Sequence, residues 1–246
     1  MTDILKIKAL SKRFGAVVAS NKIDFNLKSN EIHALIGPNG AGKSSLVKQI
    51  IGEIIQDSGE IWLNGKEISY LDTSERVRQG LARTFQVTNV VGEFSVLENV
   101  MLAVIGYLRV SFRLFISKKK YEALYQQACL SLVDTELEHK KDVLASQLSH
   151  GERRQLELCL ILALRPKIIL LDEPMAGLGL DAIDRMKQIF YRVKTKTPIL
   201  LIEHDMNVVF SLADRISVLV YGKIIATGSA STIKNNKQVQ QAYLGI

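Results

Sequence analysis

The chain has 246 residues, of which 47% are hydrophobic and 23% are charged, so it can bury a substantial core as one large domain or two small ones. No apolar run approaches the ~20 residues of a membrane span, and the first residues lack the features of a signal peptide. The two cysteines lack metal-ligand spacing, which predicts reduced thiols in a cytosolic protein. The formal net charge of +7 permits an anionic partner but does not select one.

The N-terminal part of the chain is predicted to contain antiparallel strands. Residues 4–28 and 59–68 have the pattern of strands, and Asn64-Gly65 within the second segment is typical of a two-residue hairpin turn. Between these segments, residues 31–36 form a short apolar run typical of a buried parallel strand, and residues 44–51 have the spacing of a helix.

A glycine-rich segment joins that buried strand to the helix. Residues 37–44 read Gly-Pro-Asn-Gly-Ala-Gly-Lys-Ser, a complete phosphate-binding loop. Its glycines let successive backbone N–H groups point inward at a phosphate, and the helix N-terminus adds partial positive charge. Lys43 is expected to reach the β- and γ-phosphates of ATP, and the Ser44 hydroxyl to bind Mg²⁺. The predicted nucleotide-binding residues here are Gly37, Pro38, Asn39, Gly40, Ala41, Gly42, Lys43, Ser44 and Ser45.

The rest of the chain alternates between strands and helices around a helical block. Residues 81–86 have the pattern of a strand, and residues 96–164 are mostly helical in pattern. The alternation then resumes with a strand at 168–171, a helix at 181–194, a strand at 198–202, a helix at 206–212 and a hairpin at 216–220 and 223–227. Such βα units predict an α/β fold with a parallel sheet covered by helices on both faces, interrupted by an inserted helical subdomain.

The buried strand at 168–171 leads into two carboxylates. Asp172 is expected to support the Mg²⁺ from its outer coordination sphere, and Glu173 is a candidate base for an attacking water molecule. With the phosphate-binding loop, these residues predict that the chain binds a nucleoside triphosphate and hydrolyses it.

The segment Leu148-Ser-His-Gly-Glu-Arg-Arg-Gln-Leu-Glu157 resembles the signature motif of the ATP-binding cassette (ABC) family, usually Leu-Ser-Gly-Gly-Gln. In isolation, Ser149 followed by Glu152 is a capping box that begins a helix. The resemblance implies in addition that Ser149 and the Gly151 N–H contact the γ-phosphate of ATP bound by a partner subunit. Because the segment lies between the phosphate-binding loop and Asp172, we favour this functional interpretation.

The resemblance extends over nearly the whole chain and implies a P-loop NTPase (RecA-like) fold with an antiparallel β subdomain. Residues 1–246 would form a single nucleotide-binding domain, with the helical subdomain at roughly 87–164. Phe14 matches the aromatic residue that stacks on adenine, although a lone Phe there is also compatible with core packing. Residues 175–181 match the loop that crosses the dimer interface.

Two further positions match functional residues of the family. Gln86 matches the glutamine that touches Mg²⁺, the attacking water and the transport partner. His204 matches the histidine that contacts the γ-phosphate, although a lone histidine is more often satisfied by local hydrogen bonds. The implied catalytic residues are Lys43, Gln86, Glu173 and His204, and the implied metal residues are Ser44, Gln86 and Asp172.

The sequence departs from the family pattern at three places. His150 replaces the first signature glycine, and Glu152 replaces the glutamine. A carboxylate there is expected to weaken binding of the partner's triphosphate slightly, unless Arg153 or Arg154 neutralises it. In the interface loop, Gly179 stands where the family usually has an aspartate, and Asp181 follows two positions later; communication between the two sites could therefore differ.

Within the family, the chain most resembles the ATPase subunits of branched-chain amino acid importers and of urea or amide importers. The segments that carry this resemblance are 80–86, 148–151, 172–178, 202–206 and 241–245. The resemblance implies two integral-membrane permease subunits as partners, a second ATPase that is identical or homologous, and an extracytoplasmic solute-binding protein that acts indirectly. The chain would work peripherally, on the cytoplasmic face of the inner or plasma membrane.

Alternatives remain open from the sequence. An exporter ATPase would share every catalytic residue and differ in the partner-facing helical block. A non-transport ABC ATPase acting on DNA or ribosomes usually has coiled-coil insertions or a second cassette, and this chain has neither, so nucleic acid is not an expected partner. A small-molecule kinase is disfavoured by the signature helix.

The helical block contains a basic stretch, Arg109, Arg113 and Lys118–Lys120, which is either a solvated face or a contact with the permease or anionic lipid.

Overall fold

A computed structural model of the chain describes residues 2–83, 90–107 and 117–244. The chain divides into two compact units. The first comprises Met1–Arg83, Lys167–Glu173 and Lys194–Ile246, and the second comprises Thr84–Pro166 and Pro174–Val193. None of the described helices is long and apolar enough to cross a membrane.

The strands of the described residues are β1 (Asp3–Phe14), β2 (Val17–Lys28), β3 (Ile32–Ile36), β4 (Ser58–Leu63), β5 (Lys66–Glu67), β6 (Leu81–Arg83), β7 (Ile168–Asp172), β8 (Ile199–Ile202), β9 (Arg215–Val220) and β10 (Lys223–Gly228). The helices are α1 (Lys43–Ile51), α2 (Thr73–Gln79), α3 (Val96–Tyr107), α4 (Lys118–Asp134), α5 (His150–Leu162), α6 (Leu180–Val193), α7 (Met206–Leu212), α8 (Ala230–Lys234) and α9 (Lys237–Leu244). Short 3-10 turns lie at Glu138–Lys140 and Ala145–Gln147.

The first unit contains two sheets. One is antiparallel in the order β2-β1-β4-β5, and the other has the order β10-β9-β3-β8-β7-β6. In the second sheet the neighbours from β9 to β6 run parallel, and β10 pairs antiparallel to β9. Every residue of β3 and β8 is buried, as expected for central strands of a parallel sheet. This arrangement confirms the predicted α/β fold, including the antiparallel β subdomain.

The second unit is helical. Its core is formed by apolar side chains of α3, α4 and α5, among them Val100, Leu132 and Leu156. Cys159 lies in this core, and burial raises the pKa of its thiol to about 12, so the thiol is protonated. Arg109 and Arg113 of the basic stretch lie outside the described residues, and Lys118–Lys120 form the exposed first turn of α4.

Sequence periodicity did not predict three short helices, α2, α8 and α9. Helix α2 has a readable start signal, because the side chain of Asp72 accepts a hydrogen bond from the Glu75 N–H while Glu75 accepts one from the Asp72 N–H. Ser229 caps α8 in a similar way, by accepting from the Thr232 N–H.

A buried arginine of α2 holds the end of α1 in place. Arg76 is fully buried, and its Nη1 donates to the last carbonyls of α1, at Gln49 (2.5 Å) and Ile50 (2.8 Å). Its other nitrogens donate to the carbonyls of Leu71 (2.9 Å) and Ser69 (2.7 Å). Although burial lowers the pKa of Arg76 to about 10, the side chain stays charged at neutral pH and complements the negative end of the helix dipole. Arg76 therefore fixes the C-terminal end of the helix whose N-terminus carries the phosphate-binding loop.

We expect Arg76→Met to lower the free energy of unfolding by about 2–4 kcal/mol, because four carbonyls lose the charged donor that the buried Arg76 supplies. The matched control is Arg78→Met, which removes the same charge from an exposed position of α2. Urea unfolding of both variants measures the difference. Equal stability of the two variants would contradict this account.

Candidate nucleotide site

The phosphate-binding loop follows β3 and packs tightly against neighbouring backbone. A Cβ added to Gly37 would lie 2.1 Å from the carbonyl oxygen of Leu219, and one added to Gly42 would lie 2.4 Å from that of Ala19. Gly40 and Gly42 have φ values of +78° and +107°, which side-chain-bearing residues rarely adopt. Helix α1 starts with no side-chain cap and no acidic residue in its first turn, so its N–H groups are available to a phosphate. The loop therefore fits an anionic ligand.

Lys43 lies at the base of this loop. Its Nζ donates to the carbonyls of Gly37 (2.6 Å) and Pro38 (3.1 Å). Burial lowers the pKa of Lys43, and the nearby carboxylates of Glu173 and Asp172 oppose that shift. The structure thus brings Lys43 near both predicted acidic residues. Within α1, Ser44 is exposed and Ser45 is half-buried.

Asp172 ends β7 and is paired with a cation that the sequence did not single out. The Arg83 guanidinium lies 3.0 Å from the Asp172 carboxylate and 3.4 Å from that of Glu53. Arg83 comes from β6, which pairs parallel to β7 with Arg83 opposite Leu170. No local sequence signal links residues so far apart in the chain; the pairing of the two strands brings them together.

Glu173 and His204 follow the ends of adjacent strands, β7 and β8. The His204 Nδ1 lies 3.4 Å from Glu173 Oε1, and both side chains are exposed. Glu173 has φ +50°, in the left-handed region, and its N–H donates to the Ile202 carbonyl (2.9 Å). The His204 N–H donates to the buried Glu203 carboxylate (3.0 Å). The two predicted catalytic side chains therefore lie together at one edge of the sheet.

The structure places Phe14 at the end of β1, with 46% of its surface exposed, so simple core packing does not describe this side chain. The Lys12 ammonium lies 5.5 Å from the centre of its ring. Gln86 lies outside the described residues.

The signature segment belongs to the second unit, where Ser149 caps α5. Glu152 accepts hydrogen bonds from the Ser149 N–H (2.9 Å) and hydroxyl (2.9 Å), and the Glu152 N–H donates back to the hydroxyl (3.4 Å). This arrangement is the capping box predicted from the sequence.

The cation that neutralises Glu152 is Lys140, whose Nζ lies 2.5 Å from Glu152 Oε1. Neither of the cations considered from the sequence does so, because Arg153 donates to the Ser146 carbonyl and Arg154 pairs with Glu157. Burial disfavours the charge of Glu152, but the hydrogen bonds from Lys140 and Ser149 outweigh it and lower the pKa of this carboxyl to about 2.

The start of α5 faces the start of α6 across a pocket of 370 Å³. The lining residues that carry charge or belong to the signature are Ser149, His150, Gly151, Glu152, Asp181 and Arg185. A Cβ added to Gly151 would lie only 3.1 Å from the Cβ of Ala182, so a glycine suits this close approach of the two helices. Asp181, two positions later than the aspartate usual in the family, lies in the first turn of α6 and lines the same pocket.

Comparison with known proteins identifies the family. The family model described as ABC transporter matches residues 20–176. The chain belongs to the ABC transporter family. As an ABC ATPase it binds nucleotide and hydrolyses ATP as part of a transport cycle. A second model, Branched-chain amino acid ATP-binding cassette transporter, matches residues 223–246 of this ABC chain.

Individual relatives of this ABC ATPase agree with the family assignment. The high-affinity branched-chain amino acid transport ATP-binding protein BraF of Pseudomonas aeruginosa is 33% identical over 250 residues, covering 98% of each chain. The lipopolysaccharide export system ATP-binding protein LptB of Haemophilus influenzae is 31% identical, covering 99% of this chain and 98% of LptB.

Two solved ABC cassettes are similar in structure. The ADP conformation of MJ1267 matches with a TM-score of 0.86 and 27% identity over 100% of both chains. A dimeric post-hydrolysis state of MJ0796 bound to ADP and Pi matches with a TM-score of 0.71 and 25% identity, covering 92% of this chain and 98% of that one.

We expect Gly42→Ala to weaken nucleotide binding at least about tenfold, because the new Cβ would collide with the Ala19 carbonyl and push the loop out of shape. Gly40→Ala is the matched control: φ is also positive, but a Cβ there meets nothing within 4 Å, so this variant has backbone strain without the collision and we expect it to weaken binding less than Gly42→Ala. Titration with a fluorescent ATP analogue measures both affinities. Equal losses in the two variants would show that the collision does not matter.

Proposed function

We propose that this ABC ATPase powers the import of a small solute, with branched-chain amino acids or urea and amides as the favoured substrates. The observation that carries this proposal is the match of residues 223–246 to the branched-chain amino acid cassette model. The identity to BraF over 98% of both chains supports it. The chain acts as a single nucleotide-binding domain, with residues 87–164 as its helical subdomain.

In the proposed mechanism, two ATPase subunits enclose two ATP molecules. Each site combines the phosphate-binding loop of one subunit with Ser149 and Gly151 of the other. The dimer of MJ0796 bound to ADP and Pi supports such an arrangement, and the open start of α1 and the pocket at the start of α5 provide the two halves. Phe14, half exposed beside Lys12, stacks on the adenine.

The residues near the phosphates divide the chemical work of hydrolysis. Lys43 and the N–H groups of α1 stabilise the negative charge of the phosphoryl group being transferred. Glu173 orients the attacking water or accepts its proton, and His204, 3.4 Å from Glu173, contacts the γ-phosphate. Gln86 contacts the same water.

Mg²⁺ is usually held by a few protein oxygens together with substrate phosphates; the Ser44 hydroxyl is a donor of this type, and the Asp172 carboxylate would support the ion from its outer coordination sphere. We assign Mg²⁺ to Ser44, Gln86 and Asp172, where it would neutralise phosphate charge.

The Glu173 assignment predicts that Glu173→Gln binds ATP normally but loses turnover by about 10²–10⁴-fold, because an amide cannot accept the proton of the water. The matched control is Glu136→Gln, which removes a carboxylate whose 2.7 Å partner is the surface residue Arg192. Phosphate release and ATP binding are measured on both variants. Turnover of Glu173→Gln at the level of the parent would exclude Glu173 as the base.

The cellular setting follows from the same proposal. The chain works on the cytoplasmic face of the membrane beneath two permease subunits, paired with an identical or homologous ATPase, while a solute-binding protein acts on the other side. An exporter ATPase is the second candidate, because LptB is 31% identical over 98% of its own length.

A pull-down of tagged Glu173→Gln from detergent-solubilised membranes with ATP present tests this setting. We expect two multi-span permeases to co-purify, with mass spectrometry identifying the chains. A solute-binding protein associated with those permeases would identify the importer. Permeases joined to a lipid or polysaccharide export apparatus would indicate the exporter. Recovery only from the soluble fraction, with nucleic acid or ribosomes, would overturn the transport assignment.

A further inference from the structure

Glu152 places a negative charge at the start of α5. The N-terminus of a helix attracts anions because its first N–H groups are unpaired and the helix dipole is positive there. A carboxylate in the first turn offsets this attraction, and Glu152 stands beside Ser149 and Gly151, which face the phosphates in the proposed dimer. Without compensation, it would repel a triphosphate brought in by a second subunit.

Both oxygens of the Glu152 carboxylate are engaged by specific donors. Oε2 accepts from the N–H and the hydroxyl of Ser149, at 2.9 Å each, and Oε1 lies 2.5 Å from the Lys140 ammonium. The Glu152 side chain is 16% exposed and that of Lys140 is 30% exposed, so solvent screens the pair less than it would on an open surface. Lys140 comes from the 3-10 turn Glu138–Lys140, outside the signature segment.

The other charged groups of the pocket do not supply this compensation directly. Asp181 and Arg185, one turn apart on α6, carry opposite charges. Lys140 is the cation that contacts Glu152 among the described residues.

We propose that Lys140 is a positioning residue for the ATP site shared between subunits: it neutralises Glu152 and holds that carboxylate on Ser149. With its charge neutralised, Glu152 leaves the start of α5 able to attract a phosphate. A glutamine at this position carries no charge and so needs no such cation. This inference rests on the proposed two-subunit ATP site.

The test measures the ATP concentration that gives half-maximal dimerisation, by sedimentation velocity in the Glu173→Gln background. The full chain is used, together with the second ATPase if the pull-down recovers one. We expect Lys140→Met to raise this concentration about tenfold at low salt, and by less at high salt, because salt partly screens the repulsion between the unpaired Glu152 carboxylate and the triphosphate. Lys140→Arg should behave like the parent. Lys141→Met, which removes the neighbouring positive charge, should change it little.

The deciding variant is the double substitution Lys140→Met with Glu152→Gln. An uncharged glutamine still accepts a hydrogen bond from the Ser149 N–H but needs no cation, so we expect it to restore dimerisation to the parent level. A merely structural role of Lys140 would not be rescued in this way. Thermal unfolding of each variant verifies that it is folded.

The outcomes separate this inference from the function on which it rests. A Lys140→Met variant that dimerises like the parent, or one that Glu152→Gln fails to rescue, overturns the role of Lys140 and leaves the two-subunit site standing. A parent that stays monomeric with saturating ATP and its partner overturns the two-subunit site itself.

Discussion

The parallel pairing of β3, β8 and β7 is the constraint on which the nucleotide site depends. Parallel strands place their carboxyl ends at one edge of a sheet, so the phosphate-binding loop after β3, Glu173 after β7 and His204 after β8 converge there. Each strand pair is held by backbone hydrogen bonds and buried apolar side chains, and this pairing does not require the side chains of the proposed catalytic residues. The fold can therefore tolerate charged groups at the site in unfavourable surroundings, such as the partly buried ammonium group of Lys43.

Much of this fold could be predicted because its signals are local. The apolar run at 31–36 and the glycines that follow it specify strand, loop and helix in a single stretch of sequence. Helices α2, α8 and α9 were not predicted, although the capping box of Asp72 and Glu75 is a local signal that could have located the start of α2. The burial of Arg76 had no signal, because its partners are carbonyls that become available only when α1 ends beside it.

The candidate site likewise contains features that could be predicted from local sequence and features that could not. The phosphate-binding loop, Asp172, Glu173 and the signature segment are contiguous motifs whose chemistry is readable from residue order. The ion pairs next to these motifs, Arg83 with Asp172 in the first unit and Lys140 with Glu152 in the second, join residues that only the folded chain brings together. The sequence places two arginines next to Glu152 as obvious partners, but in the folded chain one donates to the Ser146 carbonyl and the other pairs with Glu157. Such pairs depend on side-chain direction, which spacing in the sequence alone does not determine.

The backbone of Glu173 ties activity to instability. A residue with a Cβ has a higher free energy in the left-handed region than in the usual helical or extended regions, whereas a glycine would occupy φ +50° at little cost. Replacing the proposed catalytic base by glycine would thus remove backbone strain and, with the same substitution, remove the carboxylate that the reaction needs. Selection for thermal tolerance alone would favour such inactive chains, so the acidic side chain persists only while transport is under selection. In a collection of stabilised variants, position 173 would be a sensitive record of whether function was screened as well.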